Sequence, residues 1–279
     1  MLKNSLFHVF RNTPFGRDTL LQSAYFSKKL SIPLTLYIPT RNQFLMKFPK
    51  KNITVNLDRA FLRDPSTALE HARAVLREQK IYPEIFEPST FTALELADIP
   101  TTFGYLCSPR SISEISSKIG MGHIGPKVRK LVQHATFPIL MPTPVYKEWN
   151  RIVAFFGGSK HSVEAVKAAL AIKRASGLPL QLFTKAEKRR PQSYYEGLLE
   201  KAGLLETLRQ ESDEWLFYSK GHFKSLLFDV PTGALAVAGA YGHGHRGLKD
   251  ILFGGKMESI QSILPNNMVI VGPHCILPK

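Results

Sequence analysis

Cysteine is nearly absent from this 279-residue chain: Cys107 and Cys275 are the only two. So few thiols imply neither a disulfide framework nor a cysteine-rich metal site. Long apolar runs are missing as well. No stretch reaches the roughly 18 residues that a membrane helix needs. The opening segment, Met1 to Phe10, carries one lysine and no small-residue cleavage site, so it does not read as a signal peptide. Acidic residues are scarce: 22 Asp and Glu stand against 37 Lys and Arg, a net charge of +15. The first 147 residues hold 20 basic and 10 acidic groups and the remainder 17 and 12, so the excess is spread over the chain and is not a tail. Such a balance favours anionic partners. Yet there is no zinc-finger spacing, no aromatic RNA-binding signature and no long basic helix, so a nucleic-acid partner is not expected. No Ser-His-Asp or paired-carboxylate pattern stands out, so catalysis is not expected. The reading at this level is a cytoplasmic globular protein with no membrane partner.

What is present is an internal repeat. Ser31-Ile-Pro-Leu-Thr-Leu-Tyr37 matches Gly177-Leu-Pro-Leu-Gln-Leu-Phe183, 146 positions on. At the same separation Leu6–Phe10 falls on Ile152–Phe156. Between these apolar runs each copy has a helical stretch, Arg17 to Leu30 and Ser162 to Ser176. Ala165, Ala168, Ala169 and Ile172 recur there at helical spacing. Short apolar strands alternating with helices predict a parallel sheet covered on both faces. The remaining strands are expected at Thr54–Leu57, Thr102–Cys107 and Pro138–Met141 in the first copy. In the second they are expected at Glu214–Tyr218, Ala234–Ala240 and Met268–Val271. At the last strand the separation drops to 130, which predicts about 16 extra residues in the first copy, between Thr40 and Ser66. The prolines of Pro142-Thr-Pro144 mark a linker running to Asn150. The expected domains are residues 1–145 and 151–279.

The chemistry is carried by the stretch Ala240-Tyr-Gly242-His243-Gly244-His245-Arg246-Gly247-Leu-Lys-Asp-Ile-Leu-Phe-Gly254-Gly255. It follows an apolar strand and precedes a helical stretch, Met257 to Leu264. Strand-to-helix connections at the carboxyl ends of parallel strands are where open sheets bind ligands. Glycines there let backbone N–H groups approach a phosphate, and a helix start at Gly254–Gly255 favours negative charge. His243-x-His245 is too sparse a set to hold a metal. Cys107, in an apolar strand, reads as a buried small side chain.

This stretch resembles the G-x2-G-x9-G-[ST] loop of universal stress proteins: Gly244 and Gly254 have the required nine intervening residues, and His243, Leu248 and Lys249 also match. Ile152-Val-Ala-Phe-Phe-Gly157-Gly158-Ser159 resembles that family's first strand and turn, commonly V-D-G-S. Met268–Val271 resembles its closing strand. The resemblance implies two tandem α/β domains of the adenine-nucleotide α-hydrolase-like fold, each a five-stranded, mostly parallel sheet flanked by helices. It implies a stress-response or regulatory role and ATP or another adenine nucleotide as ligand, with no metal predicted. The adenine would lie near Gly157, Gly158, Ser159, Phe183 and Thr184, and the phosphates near Gly242, His243, Gly244, Gly254, Gly255 and Lys256. Family dimers commonly pair their last strands, which implies pairing of the two domains within this chain, and a homodimer is open to it as well. Three positions depart from the pattern. Gly157 replaces the first-strand Asp, Tyr241 falls on the first loop glycine, and Gly255 replaces the final Ser or Thr. The lost carboxylate and hydroxyl leave backbone donors, with His243, His245, Arg246 and Lys256 as substitute charge. In the first copy the turn Arg11-Asn-Thr-Pro14 also lacks the Asp, and Pro109 and Pro126 remove N–H donors. Nucleotide is therefore expected in the second copy alone. The alternative is a ligand-free scaffold of two paired domains that recruits a protein partner.

Overall fold

The computed structural model describes residues 3–62, 64–110, 124–187, 190–240, 259–260 and 263–277. In the first half, β1 (Lys3–Val9) leads into α1 (Pro14–Leu30) and β2 (Leu34–Tyr37). Then come β3 (Gln43–Phe48), β4 (Lys51–Asn56), α2 (Pro65–Glu78), β5 (Glu84–Ile85), β6 (Ala97–Ile99) and β7 (Phe103–Cys107). The half closes with α3 (Pro126–His134) and β8 (Ile139–Met141). The second half opens with β9 (Arg151–Phe155), α4 (Lys160–Ser176) and β10 (Leu180–Lys185). It continues with α5 (Gln192–Lys201), α6 (Leu205–Glu211), β11 (Glu214–Tyr218), β12 (Ala234–Gly239) and β13 (Met268–Val271). Helices α1 and α4 start alike. Thr13 and Ser159 sit at the caps in extended conformation, and their hydroxyls accept the N–H of Gly16 and Ser162, both at 3.1 Å. Both end on a left-handed residue, Ser31 and Gly177.

Ten strands form one sheet in the order β11-β10-β9-β12-β13-β8-β7-β1-β2-β5. Each half contributes five parallel strands in the same spatial order, third-second-first-fourth-fifth. The register repeats as well. Leu6 pairs with Leu34 as Ile152 pairs with Leu180, so the 146-residue separation found in the sequence is a separation of structural equivalents. At the fourth strands it is 130, Phe7 facing Leu106 as Val153 faces Ala236. At the last strands the pairings Leu106–Ile139 and Ala236–Met268 set it at 129, one less than the sequence match suggests. The halves join where β8 meets β13 antiparallel, Met141 opposite Met268 and Ile139 opposite Ile270.

Both faces of the sheet are covered, so its inner strands are buried almost end to end. Leu6, Leu36, Ile152, Ala154 and Val269 face a layer made of α1, α2, α4, α5 and α6. Phe7, Val153, Phe155, Phe183 and Ile270 face the other side. There the first half is covered by α3 and by a second sheet, ordered β4-β3-β6. This second sheet corrects one expectation. Thr54 lies in the hairpin strand β4, outside the main sheet, and the third strand of the first half is Glu84–Ile85. The alternating burial of β4 fits a layer with one wet face, whereas every described side chain of a central strand such as β7 is buried. The hairpin Gln43–Asn56 lies inside the stretch where the extra residues were expected.

The linker is packed rather than loose. Trp149 is buried against Tyr25 and Phe26 of α1, and the Tyr25 hydroxyl donates to the Trp149 carbonyl at 2.6 Å. Beside it Asn267, at the start of β13, accepts from the Thr143 N–H at 2.9 Å. Its amide donates to Gln22 Oε1 at 3.1 Å and to the Lys147 carbonyl at 3.0 Å. The Gln22 amide donates to the same Lys147 carbonyl at 2.9 Å. This buried network ties α1, the linker and the last strand together.

Candidate functional site

In a third-second-first-fourth-fifth sheet the crevice for a ligand lies outside the carboxyl ends of the first and fourth strands. In the second half these are β9 and β12. The ladder from β9 to β10 runs one residue beyond the strand, the Phe156 N–H donating to the Phe183 carbonyl at 2.9 Å. The chain then turns through Gly157 and Gly158 into the Ser159 cap. Gly158 has φ +79, and a Cβ there would come within 3.0 Å of Leu198 and 3.3 Å of Tyr195 on α5. Only glycine turns the chain at that point without strain. Gly157 is the opposite case: beyond its chain neighbours, a Cβ there would meet no described atom within 4 Å. On the other side Gly239 ends β12 against the start of α4. A Cβ on it would lie 2.4 Å from the His161 carbonyl oxygen. The N-terminus of α4, with Lys160 and His161, thus lies between the ends of β9 and β12.

The sequence-derived site residues divide into three groups. Gly157, Gly158 and Ser159 form the turn at the crevice. The Ser159 hydroxyl is committed to the cap, and its carbonyl accepts from the Ser162 hydroxyl at 2.7 Å. Phe183 and Thr184 stand at the adjacent strand end, with their side chains turned into the core. The Phe183 ring packs on Phe155 at 5.0 Å and on Tyr218 at 5.2 Å, and the Thr184 hydroxyl accepts from Trp215 Nε1 at 2.9 Å. These two therefore offer backbone and wall. Gly242, His243, Gly244, Gly254, Gly255 and Lys256 lie outside the described residues. Among the described residues, no group of three His, Cys, Asp or Glu side chains is placed to hold a metal ion.

The equivalent place in the first half is built differently. Arg11 stands one repeat before Gly157, at the end of β1. Its guanidinium is 3.5 Å from the Asp58 carboxylate and 5.5 Å over the Phe61 ring, with little of either charged side chain exposed. Beside it Phe44, Met46, Val55 and Leu57 of the hairpin layer close on Val9, Leu106, Pro109 and Leu131, leaving a small apolar pocket. Where the second half has no described atom within 4 Å of a Cβ on Gly157, the first half supplies its own side chains. Sequence reasoning registered only the missing Asp at Arg11. The signal that could have revealed the filling is the extra 16 residues, since an insertion between the second and third strands of such a sheet emerges at the crevice end.

The topology defines an α/β protein of two tandem five-stranded halves. That fold is the fold of solved universal stress proteins. The chain matches a universal stress protein from Archaeoglobus fulgidus with TM-score 0.61 and 13% identity, covering 96% of this chain and 98% of that one. It matches a putative universal stress protein from Pseudomonas aeruginosa with TM-score 0.57 and 13% identity, covering 98% and 94%. A functionally unknown protein from the same species matches with TM-score 0.57 and 15% identity, covering 98% and 93%. No protein-family model matches the chain. No curated protein matches it either.

Proposed function

We propose that this is a regulatory nucleotide-binding protein of the universal stress type, which takes an adenine nucleotide in its second half and none in its first. One observation carries the reading: a Cβ on Gly157 would meet no described atom within 4 Å, whereas at its equivalent Arg11 pairs with Asp58 and lies over Phe61, beside an apolar pocket walled by the hairpin layer. The N-terminus of α4 adds partial positive charge at the crevice. The resemblance of Gly244 to Gly254 supplies the phosphate loop in sequence terms. The role proposed is binding, and no catalytic step is assigned to the site. Without a carboxylate at Gly157 or a hydroxyl at Gly255 the affinity is modest. Each such contact contributes about 1.5–3 kcal/mol, which puts binding near micromolar or weaker.

The test is calorimetric titration of ATP and AMP into wild type and two variants. Gly157→Phe projects a ring where a Cβ meets no described atom, so the fold is expected to survive with an unchanged melting temperature while nucleotide binding falls at least tenfold. Gly157→Asp restores the carboxylate of the family pattern and is expected to tighten binding severalfold. No heat from the wild type at millimolar nucleotide would overturn the proposal in favour of a ligand-free scaffold. Unchanged binding by Gly157→Phe would put the ligand elsewhere.

A further inference from the structure

Because β8 and β13 are antiparallel, the strands of the two halves point in opposite directions. The crevice end of the second half is therefore the amino-terminal end of the first half. What the first half presents at that end is basic. The two-residue turn between β3 and β4 carries Lys50, and Lys51 opens β4. Both are exposed, as is Lys130 on α3. The hairpin is fastened to α3 by Lys127, whose ammonium donates to the Asn56 carbonyl at 3.0 Å. Helix α3 in turn lies against the segment after β13. A Cβ on Gly272 would be 2.2 Å from the Val132 carbonyl oxygen, and the Ile276 N–H donates to the Thr136 carbonyl at 2.7 Å. Three elements thus bring Lys50, Lys51, Lys130, His134 and His274 together.

Among the described residues no ion pair reaches these three lysines, and Asp98, on the strand beside β3, is taken by Lys47. The His134 ring is held below its ordinary value first by burial, then by Lys51, His274 and Lys130. His274 is lowered by burial and then by Lys50. His134 Nδ1 is buried and has no hydrogen-bond partner. Like charges gathered without a partner repel one another, and an anion relieves the repulsion. The cluster lies at the same end of the sheet as the crevice: Val271, three residues before His274, pairs with Gly239 at the end of β12.

We infer that Lys50, Lys51 and Lys130, with His134 and His274, form a phosphate-chain site that the first half and the tail contribute at the crevice end of the second. Its ligand class is a linear polyphosphate, free or carried by a nucleotide. The nucleotide-borne case rests on the function proposed above; the free anion does not. Lysine ammonium groups on flexible stems suit a chain of phosphates, whose charge is repeated rather than fixed at one point.

The experiment titrates AMP, ATP and inorganic tripolyphosphate into wild type, into Gly157→Phe and into a Lys50→Ala/Lys51→Ala/Lys130→Ala variant, at about 0.1 M salt so that screening is controlled. The wild type is expected to bind tripolyphosphate and to prefer ATP to AMP. The triple variant should bind tripolyphosphate at least tenfold more weakly, lose the preference for ATP and keep its affinity for AMP. Gly157→Phe should lose AMP and keep tripolyphosphate. If neither nucleotide binds but tripolyphosphate binding depends on the lysines, the nucleotide reading fails and the phosphate-chain site stands. If tripolyphosphate fails to bind, or binds the triple variant as tightly as wild type, the site is overturned whatever the nucleotides do.

Discussion

His8 differs in kind from its equivalent, Ala154. It lies on β1, fully buried, with Nδ1 2.8 Å from the Ser23 hydroxyl and with Nε2 unpartnered. Cys107, its register partner on β7, shares that hydroxyl, and burial pushes its thiol up to about 12. In the second half the same three places hold Ala154, Ala169 and Val237, all apolar and buried. One half therefore keeps a polar trio where the other packs hydrocarbon. Burial pushes the His8 imidazole down to about 3. Its folded value lies below the unfolded value of about 6.5, so the unfolded chain binds the extra proton first. The stability held by neutral His8 is complete above about pH 6.5. It is lost as pH falls towards 3, by about 1.4 kcal/mol for each pH unit. Urea titrations at pH 7.5 and pH 5 are expected to give a clear drop for wild type and a smaller one for His8→Leu. An equal drop in both would mean that other groups govern acid sensitivity.

At the scale of the element, the hairpin of β3 and β4 adds a second, three-stranded sheet over the first half. Its own Phe44 and Met46 are turned into the core, and Met46 is only 1% exposed. If the hairpin is an integral layer, Met46→Ala costs about 2–5 kcal/mol in denaturant unfolding, as truncation in a packed core does. A cost below about 1 kcal/mol would make it a loosely seated flap. This element also marks where sequence reading stopped. The strands β1, β2, β9 and β10 were legible because both of their faces are buried, which demands the apolar runs that repeat after 146 positions. The two-residue β5, Glu84–Ile85, has no run to read; it is a strand because Leu36 and Thr35 beside it offer an open ladder. Thr54–Leu57 has strand character but not the main sheet's partner, and pairing is decided by the antiparallel turn at Pro49–Lys50. The crevice was half legible. Glycines at 157 and 158 stand out in a sequence, whereas the different build of the other crevice depends on Asp58 and Phe61 folding back onto Arg11.

At the scale of the whole molecule, the junction is held by hydrophobic strands and by the polar network around Asn267. Asn267→Ala removes the acceptor of the Thr143 N–H and the donor to Gln22 and Lys147. Buried groups left without partners cost about 1–3 kcal/mol each. The variant is expected to lose at least about 3 kcal/mol, read by urea unfolding, with the loss shared by probes in both halves. A loss confined to the second half would mean that the halves unfold independently. The antiparallel meeting of β8 and β13 has a further consequence, which concerns mass action. Two separate chains that met through these strands would fall apart on dilution, and the sheet would then report protein concentration. Here the two strands share one backbone, and the halves that carry them are joined by a nine-residue linker, Pro142 to Asn150, which sets the effective concentration of one half for the other. The pairing has the same strength at every abundance of the protein, and only ligands, acidity or temperature are left to modulate it.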